Sequence, residues 1–63
     1  MREFPISDFD RQNVKAILNG HGDWFGADLL RLIARADSEN RERLRLAFPS
    51  HVEAYEAWMR GPE

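Results

Sequence analysis

Apolar residues along this chain recur at intervals of three and four, and short clusters of turn-forming residues interrupt them. Val14, Ile17 and Leu18, with Phe9 or Ala16 beside them, predict a first helix over 8–19. Ser7 or Asp8 can cap it, Asp10 suits the positive end of its dipole, and Gly20 follows Asn19 as a stop. After Gly20-His21-Gly22, Asp23 reads as the N-cap of a second helix over 24–36. Leu29, Leu30, Leu32, Ile33, Ala34 and Ala36 crowd that helix, and its polar positions Asp28, Arg31 and Arg35 form one narrow stripe. A helix wet on a single stripe is expected at the centre, with Leu29, Leu30 and Ile33 in the core.

Asp37-Ser38 supplies the next cap, for a third helix over 39–48. It is the most polar of the set. Leu44, Ala47 and Phe48 share a side, Leu46 points elsewhere, and Pro49 ends the helix by disfavouring helical backbone at Phe48. Ser50-His51-Val52-Glu53 has the form of a capping box for a fourth helix over 51–60. Val52, Tyr55 and Met59 mark its apolar face, Trp58 lies beside them, and Gly61-Pro62 closes it. No segment alternates apolar and polar residues cleanly, so no strand is expected. The expected fold is all-α: a small single-domain bundle of about four short helices that share one core, because helices this short are marginal alone in water.

Size sharpens the picture. A chain of 63 residues buries only ~60% of its unfolded surface, so its stability margin is thin. It has no cysteine, which removes disulfides and Cys-based zinc sites as reinforcement. A partner or self-association often completes such small domains. The formal charge is −2, but it is unevenly spread. Arg31, Arg35, Arg41, Arg43 and Arg45 outnumber Asp37, Glu39 and Glu42 in residues 31–50, while both flanking segments are acidic. An overall acidic balance argues against a nonspecific nucleic-acid coat, and internal ion pairing on a solvated face accounts for the central arginines. No apolar run approaches the ~20 residues of a membrane span, and no apolar signal core follows Met1, so a cytoplasmic location is the expectation.

The candidate chemistry is sparse. His21 and His51 have no His or Cys partner at ligand spacing, so no metal or other cofactor is expected. Ser7, Ser38 and Ser50 stand at helix starts, where capping explains them, and a core this small leaves little room for a water-excluding catalytic pocket. Neither an enzyme nor a small-molecule site is expected. Gly20-His21-Gly22 lacks a preceding strand and a following Lys-Ser or Lys-Thr, so it reads as a turn and not as a phosphate cradle. The second and third helices do suggest a helix-turn-helix alternative, with Arg41, Arg43 and Arg45 as DNA contacts. Spacing by two points those arginines in different directions, and Glu39 and Glu42 would face the phosphates.

The elements His21-Gly22-Asp23-Trp24-Phe25, Leu29-Leu30-Arg31-Leu32-Ile33, Ala36-Asp37 and Phe48-Pro49, with Asn40, Leu44, Val52, Ala54 and Trp58, form a pattern covering roughly residues 14–58. It resembles short uncharacterised helical proteins of actinobacteria and their phages. The resemblance implies a stand-alone intracellular or phage-encoded protein and transfers no catalytic or ligand residue.

The expected function is therefore a small non-enzymatic interaction module acting through a protein partner or as a homodimer. The candidate surface is Trp24 with Asp28, Arg31 and Arg35, since Trp and Arg often dominate binding energy. Trp24 falls on the side of Asp28 and Arg31, and Phe25 on the side of Leu29 and Leu32. Trp24 is thus expected to be the exposed ring and Phe25 the buried one.

Overall fold

A computed structural model describes residues 4–61. Among them it contains helices and no strand: α1 (Asp8–Gln12), α2 (Val14–Leu18), α3 (Phe25–Arg35), α4 (Ser38–Ala47) and α5 (Pro49–Arg60). The all-α expectation holds, but the first predicted helix is two short ones. Asn13 breaks it with φ −120° and ψ 26°. Its side-chain amide donates to the Phe9 carbonyl at 2.7 Å, so a local polar bond replaces the straight continuation of the helix.

Capping explains most of the other boundaries. Ser7 caps α1 by accepting from the Asp10 N–H at 3.1 Å. At the end of α2, Gly20 N–H bonds the Ile17 carbonyl and His21 N–H bonds the Ala16 carbonyl, both at 3.0 Å. This paired closure needs left-handed backbone at the residue after the cap, and Gly20 supplies it with φ 107°. Asp37 caps α4 by accepting from the Asn40 N–H at 2.8 Å.

Two expected caps are corrected. The N-cap of α3 is Trp24 and not Asp23, and among the described residues no side chain caps the helix. Ser50 caps nothing. Pro49 starts α5, where its fixed φ suits the first helical position, so Ser50 already lies inside the first turn. Its hydroxyl instead accepts from the Ile6 N–H at 2.8 Å, across 44 residues of sequence. The box with Glu53 does not form. Gly61 ends α5 with φ 80°, and Pro62 lies outside the described residues.

α3 is the central helix. Ala27 and Leu30 join Ile6, Val14, Ile17 and Ala54 in one apolar cluster, while Leu29 and Ile33 join Val52 and Tyr55 in a second. Leu18 packs against both. Accordingly α3 packs on α2 and on α5. α4 is different: it packs on α5, is not packed side by side with α3, and buries no residue fully. Leu44 and Phe48 are half-buried against the second cluster. Ala47, expected on the same side, is exposed, and Leu46 is 88% exposed. Met59, expected on the inner face of α5, is also exposed.

Candidate interaction surface

The start of α3 sets two aromatic rings in opposite situations. Trp24 is pinned. Its indole Nε1 donates to both carboxylate oxygens of Asp10, at 3.0 and 3.2 Å. Its benzenoid ring lies against Gly22, where any β-carbon would collide with it. Gly26 likewise leaves space for the Asp10 carboxylate, which a β-carbon would meet at 2.5 Å. Phe9 and His21 stand edge-on to the indole, each with its ring centre 5.8 Å away. Trp24 keeps 37% of its surface exposed, and Asp10 is buried.

Phe25 is the freer ring. It is 60% exposed, which overturns its expected burial. The stripe it shares with Leu29 and Leu32 is covered only at Leu29, and Leu32 is 49% exposed. Phe25 touches Phe4 at 5.3 Å and Phe48 at 6.1 Å. Phe4 in turn lies flat on His51, with ring centres 5.3 Å apart and planes 8° apart. His51 is buried and its Nδ1 has no hydrogen-bond partner among the described residues. Burial pushes the imidazole pKa below its ordinary value; Asp10 opposes that shift and Arg11 adds to it.

Of the four expected partner-binding residues, three lie near one another and one lies elsewhere. Arg31 fastens the glycine loop beside Trp24. Its guanidinium donates to the carbonyls of Ile17 at 2.8 Å, His21 at 3.2 Å and Gly22 at 2.7 Å, and to exposed Asp28 at 2.8 Å. It is a brace within the chain more than a projecting contact. Arg35, at the far end of α3, is exposed and makes no ion pair among the described residues. It lines a different feature, a cleft of about 490 Å³ where α3 turns into α4. Leu32, Ala36 and Leu44 are its apolar lining; Arg35, Asp37, Asn40 and Arg43 are its polar lining.

The three arginines of α4 do not make one basic face. Arg43 bonds Glu39 and Asn40 on its own helix. Arg45 pairs with Glu42 and reaches Glu56 of α5. Its hydrogen bonds hold both carboxyls below their ordinary pKa. Arg41 lies over the Tyr55 ring, 5.2 Å from its centre. This geometry does not favour a DNA-reading helix.

Among the described residues, no group of three or more His, Asp or Glu side chains is placed to hold a metal ion, and no helix is long and apolar enough to cross a membrane. No family model, curated protein or solved structure matches the chain.

Sequence reasoning missed Phe25 with Leu32, the Asp10–Trp24 bond and the Phe4–His51 stack. One signal was available for the first. The second predicted helix carries more large apolar residues than one core can cover, and Phe25 and Leu32 recur seven positions apart on one side.

Proposed function

We propose that this protein is a small interaction module, without catalytic chemistry of its own, that engages a protein partner through the outer side of α3 and its junction with α4. The observation that carries this reading is the pair Phe25 and Leu32, exposed to 60% and 49% on one side of one helix, next to the α3–α4 cleft. Grouped exposed apolar side chains beside charged ones mark docking surfaces more often than scattered ones do. Phe48 and Phe4 extend the apolar area from Phe25, and Arg35 and Arg43 border the cleft. Trp24 stands beyond Phe25 as a partly exposed ring on a rigid mount of Asp10 and Gly22. A rigid aromatic loses little entropy on binding, which suits a secondary contact.

The polar side chains support a non-enzymatic reading. Ser7 and Ser50 each accept a backbone N–H, and His51 is packed beneath Phe4. Among the described residues neither serine is bonded to a base. The cytoplasm is the proposed compartment, in keeping with the cysteine-free sequence.

Photo-crosslinking residues at position 25 or 32, compared with one at exposed Glu53, test the surface in native host cells. Adducts to a discrete protein from positions 25 and 32, and none from position 53, are expected. Equal labelling from all three positions would remove this surface.

A further inference from the structure

We propose that the α3–α4 cleft takes an acidic amphipathic helix of a partner protein. Its apolar residues lie on Leu32, Ala36 and Leu44, and its carboxylates lie against Arg35 and Arg43. This rests on the reading of the α3 face as a docking surface and names what docks there.

Shape and charge carry the inference. The cleft, about 490 Å³ in volume, runs between two helices that share a turn but do not pack along their lengths. A trough between helices with an apolar lining is the usual receiver of a helix that presents side chains at intervals of three and four. The two cations lie on different walls, Arg35 on α3 and Arg43 on α4. Arg35 has no ion pair among the described residues. Among the described residues Arg43 has one ion pair, with Glu39, and both side chains are largely exposed, so solvent screens the pair and an incoming carboxylate can replace it.

Among the described residues the cleft is lined by two guanidiniums against one carboxylate, that of Asp37, which accepts from the Asn40 N–H at the positive end of α4. The charge left to face a ligand is cationic. Guanidinium groups match carboxylates in planar, two-point geometry. Nucleic-acid phosphates would satisfy the same arginines, but Leu32, Ala36 and Leu44 offer a phosphate backbone nothing, so a peptide fits the whole lining.

Selection from a displayed library of helical peptides, randomised on one face, tests this on the full chain. Enriched peptides are expected to combine leucine-like residues with Asp or Glu three or four positions away. Synthesised winners should shift backbone resonances of residues 32–44. They should bind the Arg35→Glu, Arg43→Glu double variant at least ~10-fold more weakly, a loss of the size that truncating important interface residues produces. The variant should keep the wild-type circular dichroism, since both side chains are exposed. Its melting midpoint should be slightly lower, because Arg43→Glu sets an anion against Glu39 and Arg35→Glu sets one at the negative end of α3.

Basic winners, or none, would overturn the inference. So would a duplex DNA that displaces the winners from the cleft. Winners that map to Phe25 or Trp24 and ignore the arginine changes would overturn the acidic helix and leave the interaction module standing. Sedimentation of the wild type adds one more arm. A dimer whose contacts map to residues 32–44 would make a second copy the occupant and overturn the partner helix.

Discussion

α3 and α4 are nearly the same length, 11 and 10 residues, and are joined by a two-residue turn, yet they are held in opposite ways. α3 buries Gly26, Ala27, Leu29, Leu30 and Ile33; Ala27 and Leu30 face one apolar cluster while Leu29 and Ile33 face the other. α4 buries no residue fully and is attached to α5 by half-buried Leu44, by Arg41 over Tyr55 and by Arg45 with Glu56. One helix is fixed by excluding water, the other by contacts that water reaches. Apolar burial is worth roughly 25 cal/mol per Å² and does not depend on direction, whereas exposed ion pairs give little net stability. The cleft therefore lies between a deeply buried helix and one held mainly by contacts at the surface.

The strongest test of that contrast is a pair of leucines. Leu30 is fully buried on α3, and Leu30→Ala should cost ~2–5 kcal/mol, enough to unfold much of so small a domain near ~37 °C. Leu44→Ala on α4 should cost less than half as much, because Leu44 is half-buried. Urea unfolding of both variants checks this, and equal losses would break the comparison.

Arg31→Ala comes next. It removes three bonds to backbone carbonyls of residues 17–22, in a partly exposed site, so a loss of about 1–2 kcal/mol is expected. Hydrogen exchange should quicken at Gly20–Trp24 while the amides of α4 keep their rates. If α4 loosens equally, the two helices do not respond separately.

Two residues that look alike as caps should then part company. Asp37→Ala should cost ~1 kcal/mol, because it removes a true N-cap, and its effect should stay within α4. Ser50→Ala should cost about as much, ~1 kcal/mol, by leaving the Ile6 N–H unpaired. Its effect should appear in residues 4–6 and in the resonances of His51, not in fraying of α5. Fraying of α5 would restore the capping box.

These cases show where sequence reading succeeded and where it stopped. Val14, Ile17, Leu30 and Ile33 declare themselves by spacing, because burial of one helical face imposes that spacing whatever the partner is. The central place of α3 follows from its single narrow polar stripe. Ser50 misleads because any Ser-x-x-Glu satisfies the local pattern, while Pro49 moves the helix start by two residues. Asn13 hides within an unbroken apolar rhythm. Adjacent positions on a helix diverge by about 100°, so the polar stripe places Trp24 outside, where it is found, and Phe25 inside, where it is not. What pins Trp24 is Asp10, which the fold brings from 14 residues away to the indole. The cleft needs the relative orientation of α3 and α4, which no local pattern contains.

The smallest effect is a dependence on pH, and it divides the same two regions. His51 sits where α5 begins, beneath Phe4, whose ring also meets Phe25 at the head of α3. Burial lowers its folded pKa below 6.5, and of the charged groups facing it, Asp10 stabilises the imidazolium and Arg11 opposes it. The unfolded chain then binds a proton at a pH where the folded chain does not, so unfolding becomes easier as pH falls. This contribution is complete above about 6.5 and is lost as pH drops through the lower folded value. The contacts of α4 respond later. Glu42 and Glu56 have folded pKa values below 4.5 through their bonds to Arg45, so their contribution is present above 4.5 and fails only in stronger acid. Melting curves from pH 7.5 to 3 should show two separate declines. His51→Gln should erase the upper one and Arg45→Gln should weaken the lower one. During the upper decline, resonances of Phe4, Phe25 and His51 should move before those of α4. Simultaneous movement in both regions would show that α3 and α4 are coupled more tightly than their packing implies.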